Sequence, residues 1–410
     1  MKDKDTGGTS RFEKISIKGF RRLADVEIEL RPLSVLIGAN GIGKTSLLDA
    51  FSMLASSAQG GLNSAISEYS GLSALLTYDR AEALELGLSL RQPIALYVDH
   101  SPARVMRLSM GYPMHETLNY LLRVKPQGTA YVIEEETLSK TGQPGEVLSR
   151  YIHSHDADVK YYEVGQAKLV RPNWEHNPLE TSLSQVPKMF REPEDFRRRL
   201  SSSTFYHALN VEPRSPVRLP QPMRPATLPG RNGEDLISCL YSLRETERDS
   251  FDAVEDAMRA AFPGFDRLDF PPVAAGTLAM MWRTTWFSKP LYTHQLSEGM
   301  LRFLWLATLL QSPGLTTVTL LDEPEVSLHP ELLNLLAGLL REASKRTQLI
   351  VATHSDRLVR FLNPSEVIVL DTTEDGMAQF TWADKLDLES WLAEYSLDEV
   401  WRMGLIGGRS

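Results

Sequence analysis

The sequence predicts an α/β fold with a parallel sheet, and three observations carry that prediction. An apolar run, Leu33 to Ile37, opens directly into Gly38-Ala39-Asn40-Gly41-Ile42-Gly43-Lys44-Thr45, and a helix follows from Ser46. A second apolar run, Thr317 to Leu321, ends in the paired carboxylates Asp322 and Glu323. From Gln295 onward helical patterns alternate with apolar strands, the last of them Leu349 to Ala352.

Taken in order, the chain begins with a polar stretch, Met1-Lys2-Asp3-Lys4-Asp5, without the apolar core of a signal peptide. Phe12 to Arg22 and Val26 to Leu30 alternate apolar and polar residues, as two half-buried strands do. After the glycine-rich loop the helix is expected to run to about Ser57, where Gly60-Gly61 breaks it. Ala83 to Leu90 alternates again. Ile94 to Val170 reads as an antiparallel meander, with turns at Pro126-Gln127-Gly128 and Gly142-Gln143-Pro144-Gly145. Six prolines between Pro213 and Pro229 exclude helix and central strand and predict an extended connector. Asp235 to Tyr241 and Ser250 to Ala261 are helical in pattern, the second stopped by Phe262-Pro263-Gly264. No internal repeat or sustained heptad is present. The expected organisation is an N-terminal lobe over 1–100, an inserted β-meander and proline-rich connector over 101–230, and a C-terminal lobe over 231–410.

Composition narrows the setting. The chain has 410 residues, 42% of them hydrophobic and 24% charged, and no apolar run long enough to span a membrane. A single cysteine, Cys239, excludes an internal disulfide framework and leads to the expectation of a cytoplasmic protein. The formal net charge of −9 argues against a surface dominated by nucleic-acid contacts, although a local basic groove is compatible with it.

The glycine-rich segment fits the phosphate-binding pattern G-x-x-x-x-G-K-[ST] in its strand–loop–helix setting. Glycines let the backbone fold tightly, so successive N–H groups and the helix N-terminus face anionic oxygens. Asn40, Gly41, Ile42, Gly43, Lys44, Thr45 and Ser46 are therefore the expected nucleotide-binding residues. Lys44 would reach the β- and γ-phosphates and the Thr45 hydroxyl would ligate Mg²⁺. Asp322, at the carboxyl end of a parallel strand, is the expected second holder of Mg²⁺. Glu323, the next residue, is the expected general base for water. Leu349 to His354 repeats the pattern of a strand delivering a polar residue, and His354 is the expected sensor of the γ-phosphate. Leu296-Ser297-Glu298-Gly299-Met300-Leu301-Arg302 opens a further helix; Ser297 could be a simple N-cap or part of an anion site.

Together, GANGIGKT, LSEGMLR, LLDEPE, SLHP and ATHSD resemble the ABC-type ATPase family. More narrowly they resemble the RecF/SMC/OLD-like branch of AAA-family ATPases, some of which serve anti-phage defence or DNA repair. Asn40 in the loop, the opening Ile17-Lys18-Gly19-Phe20-Arg21, His329-Pro330, and the long gap between Lys44 and Ser297 favour that branch over transporter subunits. The tail from Trp391 through Trp401 to Gly407-Gly408 is similar to the same group. The resemblance covers roughly residues 12–100 and 230–408. It implies an ABC-type P-loop head carrying a mixed or antiparallel β lobe and a helical insert, with ATP and Mg²⁺ as ligands. It also implies a homodimer or higher homo-oligomer closed head-to-tail around ATP, Ser297 and Gly299 of one subunit completing the site of the other. Glu298 and Asp356 depart from the family pattern, and Gln92, before Pro93, is the nearest candidate for the Q-loop glutamine.

Other features are read plainly. His153-Ser154-His155-Asp156-Ala157-Asp158 is a polar hairpin turn rather than a metal site. Arg197-Arg198-Arg199, interleaved with Glu194 and Asp195, is a solvated helix face, with DNA or a partner as the alternative, and Arg21-Arg22 stand similarly. Trp282, Trp286 and Trp305 are expected in the core or at a dimer contact. About fifty residues follow His354, fewer than a metal-dependent nuclease domain needs, so any cutting is expected of a partner. Two function classes stand: an ATPase that clamps or senses DNA, and a regulatory ATPase that controls a separately encoded nuclease or toxin without binding DNA itself. No membrane contact is expected.

Overall fold

In the computed structural model, residues 10–78, 80–93, 115–142, 147–156, 158–163, 168–274 and 276–407 are described. The polar segment Met1 to Asp5, the start of the meander at Ile94, the turn residues Gln143 to Gly145 and Gly408 lie outside them. The chain divides into two compact units. The first holds the residues up to Arg31, Thr45–Ser203 and Thr372–Phe380; the second holds Pro32–Lys44, Thr204–Asp371 and the residues from Thr381 onward.

The first unit is built on one eight-stranded sheet, antiparallel throughout. Its spatial order is Leu23–Glu29, Arg11–Phe20, Leu84–Pro93, His115–Gln127, Ala130–Thr141, Val147–His155, Asp158–Glu163 and Lys168–Val170. Leu84–Pro93 pairs with His115–Gln127, so segments on either side of residue 100 share the sheet. The period-2 alternation sorts its faces. Ile15, Leu88, Tyr120, Leu138, Ile152 and Tyr161 lie in register across six strands and are all buried. The opposite face carries charges in compensating pairs: Lys18 with Glu85, Glu85 with Arg123, and Arg123 with Glu134. The helix Lys44–Ala58 brings Phe51 edge-on to Phe12, and Arg191–Ser201 brings Phe196 to the same ring. Glu136 is fully buried under this layer. It accepts from the Tyr120 hydroxyl (2.9 Å) and from the N–H groups of Ser182 (2.5 Å) and Leu183 (2.8 Å), which pins the 181–183 loop to the sheet.

The second unit contains the parallel sheet the sequence predicts. Thr204–Tyr206, Val318–Asp322, Gln348–Ala352, Leu33–Ile37 and Val367–Thr372 follow one another as parallel neighbours. The strands Leu33–Ile37 and Gln348–Ala352 are buried at every position, as central parallel strands are. Helices Leu236–Thr246, Arg248–Ala261, Glu298–Gln311 and Leu332–Ser344 supply the rest of its core. Trp282 and Trp305 sit in that core, and the Trp305 indole donates to the Gly230 carbonyl at 2.9 Å. Trp286 is not in the core: it stands 66% exposed, beside the equally open Phe287, which leaves the alternative of a dimer contact. Its position just beyond the short strand Met281–Thr284, in the link to Leu291–Tyr292, takes it off the buried face.

Candidate nucleotide site

The loop after Leu33–Ile37 is shaped by backbone only glycine adopts easily. Gly38, Gly41 and Gly43 have φ of 151°, 72° and 129°. At Gly38 there is also no room: a Cβ would lie 2.6 Å from the Leu370 carbonyl of the neighbouring strand. Asn40 and Gly41 are exposed, whereas Ile42 is buried and anchors the loop. Lys44 opens the following helix and is itself buried; its ammonium donates to the carbonyls of Gly38 (2.6 Å) and Ala39 (2.8 Å). Burial pulls the Lys44 pKa down to about 8, against the opposing pull of Glu323, Asp322 and Glu325. Thr45 and Ser46 continue the same helix, Thr45 exposed and Ser46 buried.

Three carboxylates reach this place from the turn after Val318–Asp322. Asp322 ends the strand. Glu323 takes a left-handed φ of 49°, uncommon for a residue with a side chain, and its N–H donates to the Ala352 carbonyl at 2.8 Å. That contact joins the turn to the adjacent strand, whose end delivers Thr353 and His354. The His354 Nε2 lies 3.5 Å from Glu323 Oε1. Burial and the nearby Lys44 charge hold the His354 pKa below the usual imidazole range, Glu323 and Asp322 opposing them. Lys44, Asp322, Glu323 and His354 thus converge at the carboxyl ends of adjacent parallel strands, as the sequence predicts.

Ser297 caps the helix Glu298–Gln311, its hydroxyl accepting from the Met300 N–H at 3.3 Å. Gly299 sits beside the same post-strand turn: a Cβ there would approach the Ser327 carbonyl to 3.0 Å. Arg302, one turn along, donates to the Val326 carbonyl (3.2 Å) and the Ser327 hydroxyl (3.0 Å). Ser297 is exposed, so capping leaves it accessible to a second molecule.

Three residues of the site escape sequence reasoning. His207, just past the strand Thr204–Tyr206, places Nδ1 3.8 Å from Asp322 Oδ2. Arg302 ties the helix to the turn. Glu325 buries its carboxylate, accepting from the Thr353 hydroxyl (2.5 Å) and the His354 N–H (3.2 Å). The only signal for Glu325 was its place two residues after Glu323.

The polar hairpin turn expected over His153 to Asp158 is narrower than that: His153 to His155 end the strand Val147–His155, and Asp158, paired with His155, opens Asp158–Glu163. Among the described residues no group of three or more His, Cys, Asp or Glu side chains is arranged to hold a metal ion. Arg197 forms a two-point pair with Glu194, and Arg198 pairs with Asp195. Arg21 is held by Asp49 at 2.6 Å and lies over the Tyr69 ring. Gln92 pairs in a strand opposite Glu116 rather than sitting in a loop. No helix among the described residues is long and apolar enough to cross a membrane.

Residues 33–360 match the family described as "AAA domain, putative AbiEii toxin, Type IV TA system". No curated protein matches the chain in sequence. Among solved structures, the Smc head bound to the C-terminal winged-helix domain of ScpA is 17% identical with a TM-score of 0.52, covering 90% of this chain and 97% of that one. The Smc head with an extended coiled coil bound to the C-terminal domain of ScpA, from Pyrococcus furiosus, is 15% identical with a TM-score of 0.52, covering 96% and 100%. The fold is therefore that of an SMC-type ABC ATPase head.

Proposed function

The chain belongs to this AAA-domain family of P-loop ATPases, and from that premise we propose that it hydrolyses ATP between two subunits and uses the cycle to control a partner protein. The observation carrying the proposal is the convergence of Lys44, Asp322, Glu323 and His354 at the ends of adjacent parallel strands. The P-loop backbone and Lys44 would bind the triphosphate. Thr45 and Asp322 suit Mg²⁺, which is commonly held by one or two protein oxygens together with substrate phosphates. An ion held by them would supply neutralisation of the charge on the β- and γ-phosphates. Glu323 takes a proton from water as the water oxygen bonds to the γ-phosphorus and the bond to the ADP oxygen breaks. His354, whose burial and the nearby Lys44 charge favour the neutral imidazole, would hydrogen-bond at the γ-phosphate. Ser297 and Gly299 of the second subunit would close the site, so ATP favours the dimer and hydrolysis releases it.

A protein partner is favoured over DNA because three of the five arginines offered as DNA contacts are already engaged: Arg21 by Asp49, Arg197 by Glu194 and Arg198 by Asp195. The Smc heads of similar fold are themselves bound to ScpA, a fold-level analogy only. A partner of this kind could be a separately encoded nuclease or toxin, in defence or repair, acting in the cytoplasm. The test mixes two inactive variants, Lys44→Ala and Ser297→Arg. A shared site predicts recovered turnover, because one of the two composite sites is intact in the mixed dimer; no recovery counts against the trans arrangement. Turnover measured with and without duplex DNA at physiological salt should be unchanged; strong stimulation would move the reading to a DNA clamp or sensor.

A further inference from the structure

The turn that carries Glu323 also carries a second carboxylate, this one buried, and nothing in the proposed chemistry uses it. Glu325 Oε1 accepts two bonds from the end of the neighbouring strand: the Thr353 hydroxyl at 2.5 Å and the His354 N–H at 3.2 Å. Thr353 is wholly buried, and its hydroxyl also accepts from the Ser355 N–H at 3.0 Å. Its own N–H donates to Leu36 at 3.1 Å, on the strand that feeds the P-loop. Glu325 Oε2 is buried without a hydrogen-bond partner among the described residues. Such a half-satisfied carboxylate is costly.

We propose that Glu325 is a positioning residue of the hydrolytic site, holding the His354 backbone so that its imidazole stays against Glu323. The inference rests on the ATPase reading above. Three contacts close one ring of structure: the Glu323 N–H to Ala352, the Glu325 carboxylate to Thr353 and His354, and the His354 imidazole back to Glu323. Glu323 sits in a left-handed conformation that persists only where its surroundings over-determine it. Remove the middle contact and His354 is tied to the turn only through its own side chain. Charge is not what the two donors require; an uncharged amide oxygen would also accept both bonds.

The test compares Glu325→Ala and Glu325→Gln, each first shown to be folded, in ATP binding, turnover and histidine NMR. The alanine variant should lower kcat by about 10- to 100-fold, with ATP affinity within about twofold, since slight misplacement of a reacting group has effects of this size. The glutamine variant should restore kcat to within about threefold of wild type. His354→Ala added to Glu325→Ala should cause little further loss, because both act through one group. In the NMR spectrum, Glu325→Ala should shift and broaden the His354 imidazole signal and Glu325→Gln should leave it in place. Folded Glu325→Ala with an unmoved His354 signal would overturn the proposal, as would full additivity with His354→Ala. A wild type that binds but never hydrolyses ATP would sink the ATPase reading instead, and the His354 signal would still decide the positioning role.

Discussion

The two units each bury a glutamate, and they treat it differently. Burial raises the pKa of both Glu136 and Glu325, and backbone and hydroxyl donors oppose that rise. In the β unit, both oxygens of Glu136 are occupied by three donors that tie a loop to the sheet. In the other unit, one oxygen of Glu325 takes two donors and the second takes none among the described residues. A satisfied buried carboxylate is a rivet. One left half-satisfied beside a buried lysine, a histidine and two further carboxylates marks where the chain gives up stability to arrange chemistry.

The comparison breaks most visibly at Glu136. Glu136→Ala strands a phenol and two N–H groups in a buried layer and should cost about 3 kcal/mol or more in denaturant unfolding. Turnover per folded molecule should hardly change; a large loss of kcat at full folding would erase the distinction between the units. Next comes Lys44→Ala, which removes a charge-assisted contact and should weaken ATP binding by about 2 kcal/mol, roughly 30-fold, in calorimetry.

A pH series sharpens the contrast. Lys44 is a cation whose pKa is lowered to about 8 by burial, and triphosphate at the loop would raise it again. Below pH 8 the ammonium is already present, so affinity should be flat as far as this group is concerned. Above pH 8 binding must take up a proton, and affinity should fall by up to about tenfold per pH unit. An affinity that rises between pH 8 and 9 would contradict the assigned burial of Lys44. Smallest of all, Arg198→Ala removes an exposed pair within one helix and should change stability by under about 0.5 kcal/mol, leaving DNA retention unaffected.

Much of the site was legible because its signals are local. Gly38 to Thr45 carry loop shape and chemistry in eight consecutive positions. Asp322, Glu323 and His354 announce themselves by ending apolar strands. The capping role of Ser297 was readable for the same reason. His207 was not, since Thr204–Tyr206 is three residues long and its place beside Val318–Asp322 is set by pairing across more than a hundred positions. Glu325 looked like one more acid in an acidic turn; what it touches depends on which strand lies next door. Residue type alone left Trp286 between core and dimer contact, and its position in the hairpin decided against the core. The arginines at 197 and 198 were legible as a solvated face because each has its acid three residues earlier.

The most direct measurement is steady-state ATP hydrolysis by the purified chain beside Glu323→Gln, with nucleotide binding followed in the same samples. The account predicts Mg²⁺-dependent turnover by the wild type, and a variant that binds ATP normally yet hydrolyses it at least about 100-fold more slowly. Equal turnover by the two proteins would contradict the assignment of Glu323 as the base, and with it the site built from these strand ends.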